Sequence, residues 1–338
     1  MSVKSDRKKE QGGQGGFSLI ELLVAMTVTL IITGAVFQLV TAGQSTFRKE
    51  PELADRQQNI RVSMDLISQD VYRAGYGIPE FAQVFTRSLN AAGPAGSTGQ
   101  ATDILELLLA SECPALQVCE VNGSQLTTME PLSTCYTLPT LVILANDQEW
   151  HPMWAEEPGG GATSSCAGGG GPSSNGHVTV PPGQSSWNPP GGPNSIFTNP
   201  PLWMLAGQVI RYRVNLEADG TPNLERSPFA GQDYPDGTSS WVIIARGVED
   251  LQVQYENGTG WHDDPGAVSC GTNCGAPAQA EFDTVVRRVR VLLSARSTAA
   301  NLTGQTTSSV GAAVRGQLVT EIAPRMAVTT LGMFTGEL

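Results

Sequence analysis

Hydrophobic positions along the chain fall into one apolar block followed by two changes of period. From Phe17 to Val40 the sequence FSLIELLVAMTVTLIITGAVFQLV carries one ionisable residue, Glu21, in 24 positions. As a helix this run is about 36 Å long at ~1.5 Å per residue, enough to cross a bilayer. From Gln44 to Arg73 the apolar residues Leu53, Ile60, Met64, Ile67 and Val71 recur at helical spacing with polar residues between them, which predicts an amphipathic helix packed on the chain's own core. Pro51 lacks a backbone donor and its ring crowds the preceding turn, so a bend or break is expected near Lys49–Glu50. Ala74-Gly75-Tyr76-Gly77, with Pro79 beyond it, reads as the helix stop.

Past residue 80 the period shortens. Leu105–Leu109, Leu138–Leu144, Val209–Val214, Trp241–Ala245, Leu251–Tyr255 and Val285–Leu293 read as strands bounded by turn residues. Arg211 to Arg226 reads as a hairpin turning at Asp219-Gly220. Arg287, Arg288 and Arg290 among valines predict a strand with one wet, basic face, more a solvated sheet face than a contact for DNA or an acidic partner. Between Pro158 and Pro201 lie 11 Gly and 9 Pro in 44 residues, and no regular element is expected there. The aromatics Trp187, Phe197 and Trp203 would dock this insertion onto the domain. The fold class is therefore α+β: a long N-terminal helix with a membrane half and an amphipathic half, then a β-sheet-rich head carrying long Gly/Pro-rich loops.

Charge orients this arrangement. Residues 1–16 hold Lys4, Arg7, Lys8 and Lys9 against Asp6 and Glu10, a leader of +2, so the positive-inside bias puts them in the cytoplasm and the residues after about 41 outside. The expected division is 1–16 leader, 17–40 membrane helix, 41–76 outer amphipathic helix and 77–338 head, with the insertion at about 158–201. A secretory signal has a shorter apolar core and a small-residue cleavage site after it, and neither is present. A carboxylate inside a membrane helix costs roughly 2.5–3.5 kcal/mol, so Glu21 calls for a cation. The whole chain has 20 basic and 32 acidic side chains, a net charge of -12, which argues against a globally basic, nucleic-acid-binding surface.

The six cysteines, Cys113, Cys119, Cys135, Cys166, Cys270 and Cys274, all follow the membrane run, where disulfides persist. Local pairing is expected for Cys270 with Cys274 and Cys113 with Cys119, leaving Cys135 for Cys166. Zinc at Cys270, Cys274 and His262 is the weaker reading, because no second matched pair accompanies them. Asn215, Glu217, Asp219, Thr221, Asn223 and Glu225 around Gly220 resemble a calcium loop in spacing, but their strand-like flanks favour a plain hairpin. No metal and no cofactor are therefore assigned. The histidines at 151, 177 and 262 stand in loop-like contexts, and His262-Asp263-Asp264 reads as a solvated turn. No nucleophile elbow, phosphate loop or paired-carboxylate arrangement is present, so no catalytic residue is assigned and an enzyme is not expected.

Gly16-Phe17-Ser18-Leu19-Ile20-Glu21-Leu22-Leu23-Val24-Ala25 resembles the class III signal of type IV pilins and pseudopilins. The resemblance implies that a membrane peptidase and methylase cuts between Gly16 and Phe17 and N-methylates Phe17. Glu21, fifth in the mature chain, would then neutralise the N-terminal amine of a neighbouring subunit and set assembly register. Asp55 to Gly75, with Arg61, Asp65, Asp70, Arg73, Ala74 and Gly75, is similar to the helix of PilW-like minor pilins, and Val248–Tyr255 and Val285–Arg296 are similar to their C-terminal strands. The partners implied are the prepilin peptidase, other minor pilins, the major pilin, the inner-membrane assembly platform and a large tip-associated adhesin, with no nucleic acid. A minor pilin that initiates or caps the fibre is the function this implies, with the head in the periplasm and then on the cell surface. The alternatives are a J-type pseudopilin of type II secretion, a tip adhesin or DNA-uptake pilin with its binding surface in residues 80–205, and a signal-anchored periplasmic enzyme.

Overall fold

The computed structural model describes residues 16–78, 84–85, 101–146, 149–159, 166, 175–183, 188–197, 202–218, 220–229, 241–257, 260–263, 286–296 and 315–324. The chain divides into two units, Met1–Pro51 and Glu52–Leu338. Helix α1, Leu19–Arg73, begins in the first and ends in the second. No break occurs at Pro51, contrary to the expectation from its ring. A proline interior to a helix forfeits one rung of the ladder, and the remaining rungs of a 55-residue helix hold the helical assignment on both sides.

In the first unit the helix starts immediately after Ser18, whose carbonyl accepts the amides of Glu21 at 3.0 Å and Leu22 at 3.2 Å. Leu19–Thr41 is long and apolar enough to cross a membrane, and its side chains are exposed throughout. In the second unit Ile60, Met64, Ile67 and Val71 are buried, together with Ala74 and Ile78 just past the helix end, so the stripe is core as expected. Helix α1 ends at the anticipated stop, where Gly75 and Gly77 take φ of 80° and 79°, a left-handed conformation that glycine adopts without a Cβ penalty.

Thirteen strands are described: β1 (Leu105–Ala110), β2 (Leu116–Asn122), β3 (Gln125–Thr128), β4 (Thr140–Ala145), β5 (Trp150–Ala155), β6 (Gly176–Thr179), β7 (Leu202–Leu216), β8 (Pro222–Phe229), β9 (Val242–Arg246), β10 (Val248–Asn257), β11 (Gly260–His262), β12 (Arg288–Arg296) and β13 (Arg315–Ile322). The last four form an antiparallel sheet in the order β11-β10-β12-β13, in which β10 and β12 are direct partners. The others form a nine-stranded sheet organised around β7. One half of β7 pairs with β1 and β8, and the predicted hairpin appears as β7–β8 with Leu216 opposite Pro222.

The other half of β7 belongs to a second structure. Strands run in the order β5-β4-β7-β2-β3-β6, and the two ends meet where Glu156 and Thr179 exchange backbone hydrogen bonds of 2.7 and 2.9 Å. The six strands thus close into a small barrel at that bridge, with Val118, Leu126, Val142, Leu144, Met153, Val178, Leu202 and Met204 in a core of their own. Alternation along β4 serves both cores: Val142 and Leu144 face the barrel interior, whereas Leu141, Ile143 and Ala145 join the main core with the helix residues.

The Gly/Pro-rich stretch is corrected by this barrel. Its described residues include β6 and a 3-10 turn at Pro193–Ser195, and Cys166, Asn175, Val178, Val180, Asn188 and Phe197 within it are buried. Gly-His-Val-Thr-Val alternates as a strand should, and a glycine and proline count taken over the whole stretch hides that local signal. Phe197 docks as expected, while Trp187 lies outside the described residues. The three histidines also move, since His151, His177 and His262 lie in β5, β6 and β11, not in loops.

Candidate assembly site

The peptide between Gly16 and Phe17 precedes the helix, in irregular backbone with both residues exposed. Glu21 lies in the first helical turn, where its carboxylate complements the partial positive charge of the unpaired amides. The threonine hydroxyls farther along are satisfied within the helix. Thr27 donates to the carbonyls of Leu23 and Val24 at 3.2 and 2.8 Å, Thr29 to Ala25 at 2.7 Å, and Thr33 to Thr29 at 2.7 Å. Such back-bonding hides hydroxyls from an apolar medium, so Glu21 is the one ionisable group between Phe17 and Val40. Phe17, Leu19, Ile20, Leu30, Ile31 and Leu39 are each more than two-thirds exposed, a surface that water does not tolerate over this length.

In the second unit the helix is tied to the sheet by charge as well as by packing. The Asp70 carboxylate is buried, accepts a short hydrogen bond from the Tyr212 hydroxyl and receives Nε of Arg226 at 2.9 Å. Burial together with the neighbouring carboxylate pushes the Tyr212 phenol far above its ordinary pKa. Burial opposes the charge of Arg226, but the Asp70 carboxylate outweighs it, and the guanidinium pKa is raised. A second buried pair, Arg211 Nε to Glu106 at 2.9 Å, spans the β1–β7 rung at which those residues face each other. Trp241 lies over Arg213, with the guanidinium carbon 3.9 Å from the ring centroid. Sequence reasoning missed both buried pairs; the only available signal was the charge-aromatic-charge alternation of Arg211-Tyr212-Arg213 in a strand.

Two disulfides correct the local pairing. Cys113 bonds Cys135 and Cys119 bonds Cys166, each with Cα atoms 5.7 Å apart. Cys119 sits in β2, and the extended backbone from Leu116 carries it away from Cys113 at ~3.3 Å per residue, beyond the reach of a bridge. Cys270 and Cys274 lie outside the described residues, and with them the zinc reading. Among the described residues no group of three His, Cys, Asp or Glu side chains is arranged to hold a metal ion. The calcium-like loop is a hairpin tip braced by its own side chains: Asn223 donates to Glu217 at 2.8 Å, Asn215 to Glu225 at 3.1 Å, and Arg213 to Glu225 at 2.8 Å.

The basic face of β12 is present and occupied. Arg288 reaches Glu256 at 3.1 Å, Arg290 reaches Glu321 at 2.8 Å, and the Arg290 guanidinium lies 4.0 Å from the Trp261 ring centroid. Arginines paired in this way form a braced sheet face.

The prokaryotic N-terminal methylation motif matches residues 12–37. No curated protein matches the chain. The matched span covers the Gly16–Phe17 peptide, Glu21 and most of the apolar helix, and it is the class III prepilin signal. With the apolar helix and the sheet-rich C-terminal region, the motif indicates a type IV pilin-like or pseudopilin protein; it implies processing by a prepilin peptidase, and the apolar helix is consistent with membrane anchoring.

Proposed function

We propose that this chain is a minor pilin of the type IV pilus, PilW-like, which helps to initiate or cap the fibre. Cleavage between Gly16 and Phe17 and N-methylation of Phe17 release the helix from its leader. Helix packing from Phe17 onward then joins the subunit to other minor pilins and the major pilin at the inner-membrane assembly platform, while residues 77–338 stand outside. The observation that carries this reading is the solitary Glu21 in the first turn of an exposed, otherwise uncharged helix, directly after a matched processing signal. A neighbour's N-terminal amine supplies the cation that the carboxylate needs in an apolar bundle. The role is structural, and the chain turns over no substrate.

The test replaces the gene with Glu21→Leu in the native host. The variant should be inserted and processed normally yet fail to enter fibres, with piliation falling as far as in a deletion strain. Normal piliation in the deletion strain, accompanied by loss of secreted enzymes, would move the chain to the type II secretion system as a J-type pseudopilin.

A further inference from the structure

Arg56 occupies a core-facing register of the helix. It lies four residues before Ile60, in line with Met64, Ile67 and Val71, all of which are buried in the main core. A side chain in that register meets the head, and the guanidinium rests on the start of β13. A Cβ at Gly316 would lie 3.2–3.3 Å from its Cζ, Nε and Nη2, so the glycine there leaves the room that the guanidinium occupies.

This contact supplies no anion. Nε and Nη1 of Arg56 are buried without a hydrogen-bond partner, and burial lowers the guanidinium pKa. Elsewhere in the head Arg211, Arg213, Arg226, Arg246, Arg288 and Arg290 each meet a carboxylate. Burial acts on Arg226 as well, yet there the Asp70 carboxylate outweighs it. An arginine keeps its proton at ordinary pH, so position 56 holds a cation whose desolvation nothing offsets among the described residues. The place is open to an outside group. Arg56 is only half-buried, and β13 is the terminal strand of the order β11-β10-β12-β13. A planar carboxylate fits the guanidinium fork, and the helix that carries Arg56 is the element proposed to pack against other subunits.

We propose that Arg56 is an intersubunit ion-pair site, met in the fibre by a carboxylate of a neighbouring pilin subunit. The inference rests on the pilin reading and adds to Glu21 a second charged contact, at the head.

The test exploits the scarcity of lysine, which occurs at 4, 8 and 9 in the leader and then at 49. Fibres from cells carrying Arg56→Lys with Lys49→Arg are treated with a water-soluble carbodiimide, which joins an amine to a carboxylate in contact with it. The joined peptides are identified by mass spectrometry. The amine introduced at position 56 should be linked to an aspartate or glutamate of a different subunit. Links confined to carboxylates of its own chain, or no link in fibres that contain the variant, would overturn the proposal. Arg56→Leu supplies a second reading, because it removes the unpaired buried charge. The purified mature variant in detergent should resist unfolding at least as well as the wild type, while its amount in sheared fibres falls about tenfold. Undiminished incorporation of Arg56→Leu beside a wild type that does enter fibres, or a loss of incorporation matched by a loss of folding stability, would overturn this proposal alone. A wild-type chain left uncut and absent from fibres would overturn the pilin reading itself.

Discussion

Asp70 is buried on the helix and has two partners on the sheet, Tyr212 and Arg226, so its removal strands a phenol and a guanidinium together. Breaking a buried pair by deleting one member costs about 3–5 kcal/mol. Asp70→Ala should lower the unfolding free energy obtained from chemical denaturation by that amount, whereas Arg73→Ala, which loses an exposed 3.7 Å pair with Glu112, should change it little. A second residue sets a pH dependence. Asp103 accepts the Val253 amide at 2.8 Å, yet its carboxyl pKa is raised by burial and, less strongly, by the charges of Asp263 and Asp250. A raised folded-state pKa means that the protonated form is favoured by folding. Its stabilisation is complete below the unfolded value of about 3.9 and is lost as pH rises through the folded value. Asp103→Asn keeps the acceptor and removes the charge, so stability of the variant measured from pH 4 to 7 should fall less with rising pH than that of the wild type.

At the level of elements, the barrel depends on close approach and on covalent ties. A Cβ at Gly176 would come within 2.9 Å of both the Glu130 carbonyl and the Leu132 amide while also striking Thr128. Gly176→Ala should therefore unseat β6 from β3 at a cost of about 1–3 kcal/mol, read as faster amide exchange in β3 and β6 with protection in α1 unchanged. The disulfides close loops with sequence separations of 22 and 47 residues, and the chain-entropy estimate for such loops is about 3–4 kcal/mol each. Cys119→Ser with Cys166→Ser should lower barrel stability by that order in the same exchange measurement. The same elements show what was legible in the sequence. Helix α1, its stop at Gly75 and the β7–β8 hairpin were readable because their signals are local: spacing, a left-handed glycine, a turn dipeptide. Strands β2, β3, β5 and β6 were not, since all are four to seven residues long. Although β2–β3 and β4–β5 are local hairpins, with Asn122 opposite Gln125 and Ala145 opposite Trp150, runs this short give little alternation to read, while β6 is held by long-range pairing with β3. The cysteine partners and the ion pairs of Asp70 and Glu106 join positions far apart in the chain, which no spacing rule reaches.

For the molecule as a whole, the account divides the labour along the chain. An exposed apolar helix with one carboxylate is proposed to supply assembly, and a sheet braced by buried charge pairs holds the helix's second half. In the proposed function, processing at Gly16–Phe17 is the event on which the rest depends, because it would free the amine that Glu21 is proposed to meet. The most direct test is intact-mass and N-terminal analysis of the protein purified from cells with and without the prepilin peptidase. The account predicts a mature chain beginning at N-methylated Phe17 only when the peptidase is present. A chain beginning at Met1 in both strains would contradict it and leave a tethered head with no route into a fibre.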